Sequence, residues 1–167
     1  MKQLYLLRHA KSAWDQPAQP DRERGLNKRG GRDAPRMGHM IARRLAPMPV
    51  HVSPARRAQL TLQGLVQGWP SLGELVHRTE ESLYTFDVNE LMDWIARRPP
   101  ADNALFIVSH NPALTDLINA LVPDAGLDNL PTAGYAELAL DIDRWRDLMH
   151  GCATLRYTLF PGELADD

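Results

Sequence analysis

Two short apolar runs constrain this chain more than any other feature. Residues 4–7 (Leu-Tyr-Leu-Leu) and 104–108 (Ala-Leu-Phe-Ile-Val) each stop at a polar pair that contains a histidine, Arg8-His9 in the first case and Ser109-His110 in the second. A continuous apolar run of this length is short for a helix and reads as a strand covered on both faces, the kind that builds parallel sheets. Similar segments recur along the chain. Residues 50–53 read as a second strand cut by Pro54, 75–77 as a third, short one, and 135–140 and 154–160 as two late strands. Between them apolar residues fall at helical spacing: Ala34, Met37, Ile41, Ala42 and Leu45; then Leu60, Leu62, Leu65 and Val66 in a helix from about 57 to 69; then Leu91, Trp94 and Ile95 in 89–98. Leu114, Leu117, Ile118 and Leu121 form a fourth set behind Pro112, which suits a first helical turn. Pro35 is uncomfortable deep in a helix, so the first helix either begins near Asp33 or kinks at the proline. Residues 8–31 read as a long polar loop punctuated by Pro17, Pro20, Gly25 and Gly30-Gly31. Loops of that length in compact domains are functional or disordered.

Strands alternating with helices predict an α/β fold: a three-layer α/β/α sandwich with a largely parallel central sheet. The 167 residues fit one domain, 1–167, large enough to bury a core without disulfides or a structural metal. A formal net charge of -2 argues against nucleic acid as the partner. Cys152 is the only cysteine, so no intramolecular disulfide is available, which suits a reducing compartment. The N-terminal apolar run is too short for a signal peptide, and no stretch approaches the ~18 apolar residues of a membrane span. These features predict a cytoplasmic chain with no membrane partner. The acidic last residues are expected to fray.

In open α/β sheets, ligands bind beyond the carboxyl ends of the strands. Three such ends carry chemistry here: Arg8-His9, Ser53-Pro54 leading to Arg56-Arg57, and Ser109-His110. A parallel sheet would gather two histidines and two or three arginines at one edge. Guanidinium groups make planar, bidentate hydrogen bonds to phosphate oxygens. A neutral imidazole can attack phosphorus and carry the group covalently, and a second imidazole can donate hydrogen bonds as charge develops. Taken singly, His9 reads as a loop residue and Arg56 and Arg57 as surface charges; their joint placement at strand ends carries the inference. The six histidines show no metal-ligand spacing, so neither a catalytic metal nor a cofactor is predicted. No phosphate-binding glycine loop of the nucleotide-binding kind and no Gly-x-Ser-x-Gly elbow is present. Cys152 reads as a small core residue. Trp14 reads equally as a wall of the site or as packing, and Lys11 as added positive potential or a solvated charge.

Leu7-Arg8-His9-Ala10 resembles the Arg-His-Gly signature of the histidine phosphatase superfamily, which includes the cofactor-dependent phosphoglycerate mutases. Ser53-Pro54-Ala55-Arg56-Arg57-Ala58 is similar to that family's second block, whose phosphate-binding arginine maps onto Arg57, and Ser109-His110-Asn111-Pro112 is similar to the third. Residues 8–14, 21–34 and Leu130-Pro131-Thr132-Ala133 resemble the small phosphohistidine phosphatases of the SixA type. Two departures stand out: Ala10 replaces the family's glycine, and Leu60 stands where many members have glutamine.

The resemblance implies a phosphoglycerate mutase-like fold and a phosphatase with His9 as nucleophile. It also implies Arg8, Arg57 and His110 as phosphate ligands, with His110 acting in the chemistry as well. A leaving group of high pKa needs a general acid, and members often carry a carboxylate for it between the second and third blocks; Glu81 fits that position slightly better than Glu80, and solvated surface acids are the alternative reading of both. Water would then hydrolyse the phospho-His9 intermediate with Glu81 assisting. Neutral His9 is the attacking form, so activity should fall in acid. The implied substrate is a phosphohistidine on a signalling protein. The alternatives are a small phosphorylated molecule, as in a small-molecule phosphatase or mutase, and a non-catalytic phosphate-binding module. Arg57 and His110 are 53 positions apart (110 − 57), which leaves little room for the lid of larger relatives and predicts an open, shallow site.

Overall fold

The side chains of strand β1 (Lys2–Arg8) alternate between two separate cores. Leu4 and Leu6 join one and Leu7 the other, with Tyr5 packed beside it. Strand β4 (Ala104–Ser109) does the same, with Leu105 and Ile107 on one face and Phe106 and Val108 on the opposite one. Both strands need helices on both sides, which accounts for their unbroken apolar sequences. The computed structural model, which describes residues 1–164, supplies those helices. Helices α1 (Lys28–Ala42) and α2 (Arg56–Gly68) cover the Leu7 face, and α3 (Val88–Ala96) and α4 (Ala113–Leu121) cover the Leu4 face. The acidic chain end, for which fraying was expected, extends into 165–167, outside the described residues.

The sheet has six strands in the order β3-β2-β4-β1-β5-β6, with β2 (His51–Val52), β3 (Arg78–Thr79), β5 (Tyr135–Leu140) and β6 (Ala153–Leu159). The first four are mutually parallel; β5 runs antiparallel to β1, and β6 antiparallel to β5. Registry sets Arg8 beside Ser109 and Val52 beside Val108, so the carboxyl ends of β1, β2 and β4 share one edge. The reversal at β5 has a local cause. After α4 the chain returns to that same edge, where the Ala133 N–H bonds to the His9 carbonyl and the Arg8 N–H to the Gly134 carbonyl. β5 therefore starts where β1 ends.

Several boundaries differ from the sequence expectation. α1 begins at Lys28 because the Asn27 side chain accepts the Gly30 N–H and caps it; Gly30-Gly31 lies in the first turn and Pro35 inside the helix. An internal proline costs about 3 kcal/mol, and close packing on α2 offsets it. A Cβ at Gly38 would strike the Leu65 backbone, and one at Gly64 or Gly68 would strike Ala34 or Pro35, so these glycines set the approach of the two helices. The third strand is Arg78–Thr79, not 75–77: the His77 ring accepts from the Val50 N–H and meets the Leu72 carbonyl, so side-chain bonds take the place of strand pairing just before it. Leu60 and Val66 are only partly buried, whereas Thr61 is fully buried. Among the described residues, no helix is long and apolar enough to cross a membrane.

Candidate active site

The common edge of β1, β2 and β4 brings together His9, Arg57 and His110. The two imidazole centroids are 5.2 Å apart. The Arg57 guanidinium faces both rings, with Nε 3.4 Å from His9 Nε2 and Nη2 3.4 Å from His110 Nδ1. Both histidines and Arg57 are buried: His9 is 7% exposed, Arg57 3% and His110 0%. They lie deeper than the short 57–110 spacing suggested, because Tyr84 and Phe86 pack on the His110 ring, each with centroids 5.4 Å away. Arg8, half-buried, donates from Nη1 to the Leu130 carbonyl at 3.0 Å. Its buried Nε has no hydrogen-bond partner among the described residues, so an incoming anion would satisfy a costly donor.

Hydrogen bonds assign the protons on both rings. His9 Nδ1 lies 2.8 Å from the Ala10 carbonyl, which can only accept, so Nδ1 carries the hydrogen. The Nε2 lone pair is left facing Arg57. His110 Nε2 lies 2.7 Å from Ser53 Oγ, which also accepts the Ala55 N–H. Burial lowers the His9 pKa to about 4; the Ala10 carbonyl and Asp21 act the other way, and the Arg57 and Arg8 charges add to the lowering. Burial, His9 and Arg57 lower His110 to about 3. Both rings are neutral at pH 7. Burial, then the neighbouring Arg57 charge, also lowers the Arg8 pKa.

Ala10, the departure from the family glycine, is not among the residues with positive φ, and its N–H is held by Thr61, so a Cβ is tolerated there. Leu60 is partly buried, with its Cδ1 beside Gly25. Glu81 sits in a 3₁₀ turn (Glu81–Leu83) as an exposed carboxylate, held by both Nη atoms of Arg22 at 3.0 and 2.5 Å. That pairing keeps its pKa below the usual range. Glu80 faces His51 at 3.5 Å. The structure thus joins His9, Arg57 and His110, sets Arg8 beside them, and engages Glu81 elsewhere.

Two residues escaped the sequence reading. Asp21, in a 3₁₀ turn (Asp21–Glu23), accepts from Arg57 and Tyr84 and pairs with Arg24. Thr61 Oγ1 accepts the Ala10 N–H at 2.9 Å and donates to the Arg57 carbonyl at 2.7 Å. Its place one helical turn after Arg57, between Leu60 and Leu62, was the available signal. Among the described residues, no group of three or more histidine, cysteine or carboxylate side chains is arranged to hold a metal.

A family model, described as the histidine phosphatase superfamily (branch 1), matches residues 4–84. Just under half of the chain, residues 4–84, is thus similar to that superfamily. A proposed phosphohistidine phosphatase SixA from Nakamurella multipartitia superposes with a TM-score of 0.79 at 25% identity, over 96% of each chain. A proposed SixA from Agrobacterium tumefaciens gives 0.75 at 26%, over 96% of this chain and 99% of that one. The protein histidine phosphatase SixA complexed with tungstate gives 0.77 at 22%, over 98% and 99%, and speaks to the fold alone. A search of curated protein sequences finds no match. This histidine phosphatase is a hydrolase of phosphorylated substrates with the phosphoglycerate mutase-like fold.

Proposed function

We propose that this histidine phosphatase dephosphorylates phosphohistidine on a partner protein, in the manner of the SixA type. His9 is the nucleophile, Arg8, Arg57 and His110 bind the phosphoryl oxygens, and His110 also stabilises the charge that develops on them. The His9 Nε2 lone pair attacks phosphorus as the substrate's N–P bond breaks, and that electron pair stays on the departing ring. A substrate imidazole protonated on its far nitrogen leaves neutral. His9, already hydrogenated on Nδ1, becomes the matching phosphorylated imidazolium. Water then forms the P–O bond, the N–P electrons return to Nε2, and the water proton leaves with phosphate or solvent. The Ala10 carbonyl favours the charged intermediate by accepting from Nδ1.

The observation that carries the substrate class is the state of the nearby carboxylates. An alkoxide leaving group needs a proton from a general acid. Glu81 is tied to Arg22 and Asp21 to Arg57, Tyr84 and Arg24, and both pKa values lie below the ordinary range. Neither is suited to giving a proton at pH 7. Transfer between two imidazoles needs none at the breaking bond. For Glu81 to assist the attack of water in the second step, its carboxylate must first leave Arg22.

Intact-protein mass spectrometry after mixing with a phosphohistidine protein and quenching in alkali tests the proposal. The expected result is a transient adduct of one phosphoryl group on the wild type and none on His9→Ala. Phosphate esters turned over far faster than phosphohistidine would sink the substrate assignment. An intact fold with no adduct and no phosphate release would point to a phosphate-binding module.

A further inference from the structure

The Arg57 guanidinium has two forked edges, and they are divided. Its end-on edge is taken by Asp21: Nη1 donates to the Asp21 backbone carbonyl at 2.8 Å and Nη2 to Oδ2 at 3.0 Å. Its side-on edge, Nε and Nη2, faces His9 Nε2 and His110 Nδ1. A guanidinium is rigid, so fixing one edge fixes the other. Asp21 is itself held from two further directions. Tyr84 Oη donates to Oδ2 at 2.5 Å, and Arg24, whose guanidinium stacks on Trp14 at 3.7 Å, pairs with Oδ1. Burial alone would raise the Asp21 pKa; the hydrogen bonds from Tyr84 and Arg57, with the Arg57 and Arg24 charges, overcome it and keep the carboxyl ionised.

We infer that Asp21 is a positioning residue for phosphoryl transfer: by saturating the end-on edge of Arg57 it turns the side-on edge onto the phosphoryl oxygens at His9. The inference rests on the phosphatase reading above and adds a part to the same site. Arg57 could reach an anion through either edge, and only the side-on edge lies against both imidazoles. Without the Asp21 carboxylate only the backbone carbonyl holds the end-on fork, which can then swing onto the substrate, holding it with a comparable number of hydrogen bonds but out of line with His9 Nε2. Misplacement of about 1 Å can cost about 10²-fold in rate while leaving binding little changed. Asp21 also offsets one of the two arginine charges beside His9.

The test compares wild type, Asp21→Asn, Asp21→Glu, Arg57→Ala and the Asp21→Asn/Arg57→Ala pair, with kcat and KM on a phosphohistidine substrate. Heteronuclear NMR of the Arg57 Nε–H and the affinity for inorganic phosphate are read alongside. Asp21→Asn keeps size and can still accept at one oxygen. Its expected effect is about a tenfold or greater fall in kcat with a small change in KM, and an Arg57 Nε–H signal that broadens or shifts. Asp21→Glu should recover part of kcat. The paired variant should be no slower than Arg57→Ala, since Asp21 acts through Arg57. Losses that multiply in the pair would overturn the inference and make Asp21 an independent participant. An unchanged or raised kcat, with tighter phosphate binding in Asp21→Asn, would overturn it too and make the carboxylate a competitor of substrate. A wild type with no turnover defeats the phosphatase reading alone; the Arg57 signal and phosphate affinity then still decide whether Asp21 orients the guanidinium.

Discussion

Thr61 and Ala10, 51 positions apart, meet through a buried hydrogen bond: Thr61 Oγ1 accepts the Ala10 N–H at 2.9 Å. The same hydroxyl donates to the Arg57 carbonyl one turn back at 2.7 Å. One side chain therefore spaces the backbone that follows His9 against the first turn of the helix that carries Arg57. Thr61→Val keeps the shape and removes both bonds. It leaves a buried N–H unpaired, at a cost of about 1–3 kcal/mol, and loosens the His9–Arg57 spacing. Urea unfolding should show that loss and kcat should fall with it; a stable, fully active variant would remove Thr61 from the account.

The lowered histidine pKa values fix the acid behaviour. In the proposed mechanism the attacking form is neutral His9, whose pKa is lowered to about 4 from 6.5. The acid limb of kcat/KM should therefore fall near pH 4, with activity retained at pH 5.5. A limb near 6.5 would mean that His9 is solvated in the working enzyme.

The same shifts bear on stability. A depressed folded pKa means that the unfolded chain binds more protons below pH 6.5. The contribution is complete above 6.5 and is lost as pH falls toward about 4 for His9 and about 3 for His110. Each histidine can remove at most about 1.4 kcal/mol per pH unit. His51, also lowered by burial, adds a contribution of the same sign. Denaturation at pH 7, 5.5 and 4.5 should show stability falling with acid, and less steeply in His9→Gln.

Much of this was legible before the structure. The strand ends at Arg8-His9, Ser53 and Ser109-His110 share an edge because their sequences encode doubly covered, parallel strands, and the helix sets are amphipathic in their own right. What was not legible depends on contacts distant in sequence. The direction of β5 follows from Ala133 and Gly134 bonding back to the end of β1. The start of α1 depends on an Asn27 cap that outweighs the loop signal of Gly30-Gly31. Asp21 lies in a polar loop that looks like any other until Arg57 and Tyr84 reach it. Glu81 fits its expected place along the chain, but sequence does not reveal that Arg22 holds its carboxylate.

Glu81→Gln separates the readings of that carboxylate. If Glu81 serves only as an exposed partner of Arg22, the change should leave both stability and the formation of phospho-His9 from phosphohistidine near wild type. Loss of a general acid instead costs about 10²-fold or more. Rapid-quench measurement of the first transfer distinguishes the two, and a drop of that size would restore Glu81 as the acid and weaken the case for an imidazole leaving group.

Ser53 makes the last prediction. With Arg57 donating toward His110 Nδ1, the Nε2–H of His110 is directed to Ser53 Oγ at 2.7 Å. A hydroxyl both donates and accepts. When phosphoryl oxygens require a donor from Nδ1, the Ser53 hydroxyl can turn and donate to Nε2, so His110 changes tautomer without rotating its ring. Ser53→Ala removes that exchange and leaves a fully buried ring nitrogen unpartnered. Stability should fall by about 1–3 kcal/mol and the phosphoryl-transfer rate more than substrate binding. Ser53→Thr, which retains the hydroxyl, should recover part of the rate if the extra methyl is accommodated. Nitrogen-15 NMR of the His110 ring reads the tautomer directly: a hydrogen on Nε2 in the free enzyme and on Nδ1 with a bound phosphate analogue. The same tautomer in both states would assign Ser53 to structure alone.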